Sequence, residues 1–93
     1  DKSAPVITVK NAPKELYAVG QTVVLEKPLV FDNLTKECQC NIFVIKSNGE
    51  RRMVENSYTF TETGKYTIMY QAIDEDYNVA LLTYTVYVSG GVQ

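Results

Sequence analysis

Asp74, Asp76 and Asn78 stand at alternate positions, a spacing at which side-chain oxygens on a tight turn can gather around a hard cation such as calcium. A calcium loop also calls for a glycine at its bend and a bidentate glutamate beyond it, and the chain supplies neither here. The other reading of these residues is a hairpin tip, where Asp and Asn side chains bond the local backbone and tolerate left-handed conformations. That reading is preferred, with calcium as the alternative. Cys38-Gln39-Cys40 is the second pair with chemistry, since two neighbouring thiolates bind soft metals or form a reactive disulfide. The chain has two cysteines and no histidine, so tetrahedral zinc coordination cannot be completed. On an extended segment the two Cα atoms lie about 6.6 Å apart, at the upper limit for a disulfide. Two reduced thiols are expected over a bridge that needs a kink. Asn33-Leu34-Thr35 fits the N-glycosylation pattern, which matters only in a eukaryotic secretory route.

The absence of histidine removes the commonest general base. A carboxylate pair can replace it only in a concave site, and small β-sandwiches fill their interior with side chains. Composition therefore argues against an enzyme, and no cofactor is implied. Nine basic and eleven acidic side chains give a net charge of −2, with no basic stripe to follow a phosphate backbone, so nucleic acid is not an expected partner. No apolar run approaches the twenty residues needed to span a bilayer. With 93 residues the chain is one domain. It lacks an initiator methionine and a leader, and reads as a piece excised from a larger multidomain protein.

Short apolar segments separated by turn residues at intervals of about 8 to 12 predict an all-β protein. Strands are expected at Val6 to Lys10, after Pro5, and at Glu15 to Ala18, resuming along another sheet past Asn11-Ala12-Pro13. Thr22 to Glu26 follows, then Leu29 to Phe31 beyond a kink or edge position at Pro28. After a loop from Asp32 to Glu37, Cys40 to Lys46 and Arg51 to Glu55 flank Asn48-Gly49, a signal for a type I′ hairpin with positive φ at both residues. Tyr58 to Phe60 precedes the last hairpin. With a loop from Asp74 to Asn78, Ile73 faces Val79, Ala72 faces Ala80, Tyr70 faces Leu82, Ile68 faces Tyr84 and Tyr66 faces Val86. The even-numbered residues of this ladder form an apolar inner face. Gln71 with Leu81, Met69 with Thr83, Thr67 with Thr85 and Lys65 with Tyr87 form a mixed outer one, and a one-residue slip would join the two. Val88 closes the core. Residues 1–4 and 89–93 read as linkers.

Glu62, Gly64 and Tyr66 match the corner at which the sixth strand of an immunoglobulin-like sandwich begins, where the tyrosine hydroxyl bonds back to nearby backbone. Ile68 stands where antibody domains carry a disulfide cysteine, so apolar packing must replace that cross-link. The expected fold is an immunoglobulin-like β-sandwich of about seven antiparallel strands with Greek-key connections. Gly64, Tyr66, Ile68, Tyr70, Leu82, Tyr84 and Val86 would carry its structure. Met69, Leu81, Ile73, Val79 and Tyr87, with whichever of Phe43 or Val44 points outward, form a possible contact face.

Ala4-Pro5-Val6-Ile7, Val23-x-Leu25 before Pro28, Asp32-Asn33, the run from Gly64 to Asp74, Asn78-Val79-Ala80 and Tyr84 to Val88 together resemble the bacterial immunoglobulin-like repeats of surface proteins, close to the hyalin-repeat family. The resemblance covers most of the chain. Tyr77 departs from the glycine usual before Asn78, which implies an altered hairpin tip, and the cysteines are not at the family's positions. The resemblance implies a non-catalytic module, extracellular or at the cell surface, that spaces or presents neighbouring domains of the same chain. The alternative is a module binding carbohydrate or protein through an exposed sheet face. The lack of tryptophan weighs against the sugar.

Overall fold

The structure, a computed structural model, describes residues 4–31 and 38–90. The Asp32 to Glu37 loop and the Asn33-Leu34-Thr35 pattern lie outside the described residues. Nine strands and no helix are found among those described: β1 (Val6–Thr8), β2 (Leu16–Ala18), β3 (Thr22–Val24), β4 (Leu29–Phe31), β5 (Gln39–Lys46), β6 (Arg51–Val54), β7 (Ser57–Thr59), β8 (Gly64–Ile73) and β9 (Val79–Ser89). The largest sheet has the order β2-β9-β8-β5-β6, and two smaller sheets pair β1 with β4 and β3 with β7.

The β8–β9 ladder runs from Gly64 opposite Val88 to Ile73 opposite Val79. Every pair expected from the inner and outer alternation is present, because the buried Tyr66, Ile68, Tyr70 and Ala72 alternate with half-buried residues along β8. One register puts all four on the interior together. β5 adds Ile42 and Val44 to the same face, and Val23, Leu25 and Phe60 come to it from the smaller sheets and the segments beside them. Ring contacts of Phe60 with Tyr17, Tyr58 and Tyr66, at centroid distances of 5.1, 5.4 and 5.1 Å, fill one end of this core. Leu82 and Tyr84 are half-buried against it, while Val86 is fully buried.

Three details differ from the sequence expectation. The strand count is nine rather than about seven, because Asn11-Ala12-Pro13 and Pro28 each break what would be a single strand. One pairing is parallel: Leu16, Tyr17 and Ala18 of β2 lie beside Tyr87, Val88 and Ser89 of β9. Ser89, assigned to the exit linker by sequence, is thus the last residue of β9. The turn between β5 and β6 is not type I′, since positive φ falls on Gly49 (φ 93) and not on Asn48. Gly49 N–H donates to the Lys46 carbonyl, and the Asn48 side-chain oxygen accepts from Glu50 N–H at 2.8 Å. That bond holds Asn48 in a right-handed conformation and leaves the left-handed position of a three-residue loop to glycine.

The registers also fix where the chain enters and leaves. Val19 N–H bonds the Ser89 carbonyl, and Gly20 N–H bonds the Phe60 carbonyl, so the turn after β2 sits beside the end of β9. β3 and β4 lead away from that turn, and Val6 pairs with Phe31 at the far end. The body measures 53 × 25 × 17 Å. β2 runs parallel to β9, and β1 lies antiparallel to β4 in a separate small sheet.

Candidate functional site

The tip between β8 and β9 is organised around Asp74, which is only 4% exposed. Its Oδ1 accepts the backbone N–H groups of Asp76 and Asn78, and its Oδ2 accepts Nδ2 of Asn78, each at 2.9 Å. The Asp74 N–H in turn donates to the Asn78 carbonyl, and Tyr77 N–H to the Asp74 carbonyl. Both Asp74 oxygens therefore hold the turn together, and a cation would have to compete with these donors. No group of three or more His, Cys, Asp or Glu side chains is gathered for a metal among the described residues. Tyr77 sits at the bend with φ 64 and is 85% exposed. It occupies the left-handed region where the resemblance expects glycine, which costs a non-glycine residue about 1 kcal/mol or more.

Tyr66 is 2% exposed and its hydroxyl donates to the Glu62 carbonyl at 2.8 Å. Gly64 has φ 137, a conformation that an L side chain strains. Burial pushes the Tyr66 phenol above its ordinary pKa, reinforced by neighbouring Tyr58 and Glu62. Beside it Lys46 Nζ lies 2.7 Å from Glu62 Oε1 and 3.6 Å from Glu50 Oε2. The hydrogen bond to Glu62 raises the lysine pKa and lowers that of the carboxyl. Sequence analysis missed this link, because nothing local places residues 46 and 62 together. The Tyr70 hydroxyl is the one buried side-chain polar atom with no protein partner among the described residues. Burial raises its pKa as well, with Tyr84 next in effect.

Cys38 and Cys40 are both half-buried thiols outside any disulfide. Cys40 Sγ donates to the Cys38 carbonyl at 3.7 Å, and Cys40 faces inward opposite Ala72. It lines an open groove of ≈ 260 Å³ with Pro28, Ile42 and Met53. Two other grooves, of ≈ 160 and ≈ 120 Å³, flank Lys46. All three fall short of the roughly 300 to 1,000 Å³ of a typical small-molecule site.

On the outer face of the large sheet Phe43 points outward and Val44 is buried, so Met53, Phe43, Met69 and Thr83 form one row. The Arg51 guanidinium lies over the Phe43 ring at 5.3 Å. Ile73, Val79 and Leu81 cluster near the acidic tip, whereas Tyr87 lies beside Lys65 and Leu16 at the other end. Asn41 and Gln71, bonded to each other at 2.9 Å, lie between Met69 and Ile73 on this face, with Leu81 opposite Gln71 and diagonal to Met69. Met69, Leu81, Ile73 and Val79 are thus neighbours on the outer face, and Tyr87 stands apart from them. A second apolar group went unrecognised: Val6, Phe31, Leu29 and Val24 are all exposed on the smaller sheets. Period-2 alternation in their short strands was its only signal.

No helix of the described residues is long and apolar enough to cross a membrane. No protein-family model matches this chain, and no curated protein is significantly similar to it.

Proposed function

We propose that this chain is an immunoglobulin-like β-sandwich with Greek-key connections, serving as a non-catalytic structural or adhesive module of a bacterial cell-surface or secreted multidomain protein. The supporting fold argument is the crossing of the first segment from β1 in a small sheet to β2 in the large one, together with the Tyr66 corner. The observation that carries the functional reading is the parallel pairing of β2 with the end of β9 in an elongated body. A module so built adds its own length between its neighbours. Tension pulling the ends apart would drag β2 and β9 along their shared axis, loading several hydrogen bonds together rather than one at a time.

A sugar-binding reading needs coplanar exposed rings. On the outer face Phe43 and Tyr87 are separated by one intervening strand, β8, and by roughly 14 Å along the strand direction, so the spacer reading is preferred. Single-molecule pulling of a polyprotein made of tandem copies would test it. Each copy should unfold in one discrete event, and Val19→Pro, which removes the 3.1 Å bond from Val19 N–H to the Ser89 carbonyl, should lower the unfolding force. A Val19→Pro variant as resistant as the wild type would remove the mechanical argument.

A further inference from the structure

Among the described residues β6 is an edge of the large sheet, and its outer side is self-complementary. Lys46 N–H bonds the Glu50 carbonyl, and with the β5–β6 register pairing Val44 with Arg52 and Ile42 with Val54, alternation sends the main-chain groups of Arg52 and Val54 towards β5. Those of Arg51 and Met53 therefore point away from the sheet. Glu55 follows β6 at a bend, outside the ladder with β5. An exposed strand edge is a template for another chain, and proteins usually blunt it with short strands, charged side chains, proline or a bulge. The run Arg51-Arg52-Met53-Val54-Glu55 has no proline, and its charge changes sign from one end to the other.

We propose that β6 is a self-association edge, and that two copies of this chain pair antiparallel along it about a two-fold axis at Met53. In this register Met53 opposes Met53 of the second copy, and Arg51 opposes Glu55 of the second copy twice over, once on each side of the axis. Arg52 opposes Val54. At the axis the outward main-chain groups of Met53 meet those of the second copy's Met53, as a hydrogen-bonded antiparallel ladder requires. A shift of two residues one way places Arg52 against Arg52, and a shift the other way loses both opposite-charge pairs, so charge selects this register. Met53 is 60% exposed and lies beside Phe43 on the outer face, so pairing also covers apolar surface. The contact is isologous and closes at two copies, giving one continuous sheet of ten strands.

The test is sedimentation velocity of the wild type and variants up to about 1 mM, suited to an interface below about 1,200 Å². The wild type should show reversible dimerisation. Arg51→Glu and Glu55→Arg should each weaken it by at least about tenfold, because both opposite-charge pairs become like-charge pairs. Mixing the two variants should restore it, since their heterodimer regains opposite charges at both positions. Met53→Pro removes an N–H that β5 does not use and should also abolish pairing, with far-UV circular dichroism checking the fold. A wild type that stays monomeric throughout overturns the proposal. So do single charge variants that dimerise like the wild type, or a mixture that recovers nothing.

Discussion

Replacing Tyr66 and Tyr70 by phenylalanine, one at a time, should give opposite results although both rings are buried in the same row of β8. Tyr66→Phe keeps a packed ring and removes the 2.8 Å bond to the Glu62 carbonyl. Glu62 is exposed, so water can reach part of the orphaned acceptor. The cost should therefore be about 1 to 1.5 kcal/mol, a net hydrogen bond plus partial desolvation. For a domain of this size that lowers Tm by roughly 4 to 12 °C. Tyr70→Phe removes a hydroxyl that bonds no described residue, while the edge-to-face ring contact with Tyr84 at 6.0 Å remains. Its effect should lie between zero and about 1 kcal/mol of added stability, because a buried polar group without a partner is itself a cost. Urea titrations with unchanged m-values would measure both. Equal losses in the two variants would refute the reasoning at Tyr70, and a harmless Tyr66→Phe would remove the corner argument for the fold.

Asp74→Ala should cost about 2 to 3 kcal/mol by urea titration, since three donors lose a charged acceptor, whereas calcium and chelator should leave thermal unfolding of the wild type unchanged; a rise of several degrees with calcium would show a native-state site. Tyr77→Gly should add about 0.5 to 1 kcal/mol in the same titration by relieving a positive φ at an exposed position, and a loss would mean that the Tyr77 ring makes a stabilising contact. Stability should fall as pH rises above about 10, the ordinary phenol value. There the unfolded chain releases the Tyr66 and Tyr70 protons that the folded state keeps, so it binds fewer protons and the slope is negative. Lys46 acts in the same direction and Glu62 adds a loss at acid pH, below the carboxylate range. Tyr70→Phe should flatten the alkaline slope, as thermal unfolding across pH would show. Thiol titration of the unfolded, unreduced protein should find both Cys38 and Cys40 reactive, and a mass two hydrogens low would contradict it.

The last hairpin was legible to the residue because two independent constraints agree there. Even-numbered apolar residues on β8 must share a face, and the odd loop length is the one that lets β9 match them. Elsewhere a single local signal had to decide between conformations of similar energy. Asn48-Gly49 favours type I′ as a dipeptide, but the Asn48 oxygen finds Glu50 N–H and a three-residue loop wins. The parallel pairing of β2 with β9 joins residues about seventy positions apart, and no local pattern encodes it. Phe43 and Val44 are equally apolar. Only the neighbouring strands decide that Val44 joins the core and Phe43 meets Arg51 outside.

Aromatic composition was the least reliable guide to a site. Five of the seven tyrosines, at 17, 58, 66, 70 and 84, are buried or half-buried with Phe60, so most of the rings pack the interior. The acidic tip likewise turns its best ligand inward, because an unpaired Asp74 carboxylate would be costly at that depth. What remains for recognition is what folding leaves unused: exposed apolar groups of no single shape, and the main-chain groups of an edge. Of these the β6 edge carries its own complement. The alternation from Arg51 to Glu55 is plain in the sequence, yet it acquires meaning only once β6 is known to have no neighbour on its outer side among the described residues. A following strand hydrogen-bonded there would have turned the same charges into ordinary solvated positions. β7 instead crosses to pair with β3, and that crossing leaves β6 without a following strand at its side among the described residues.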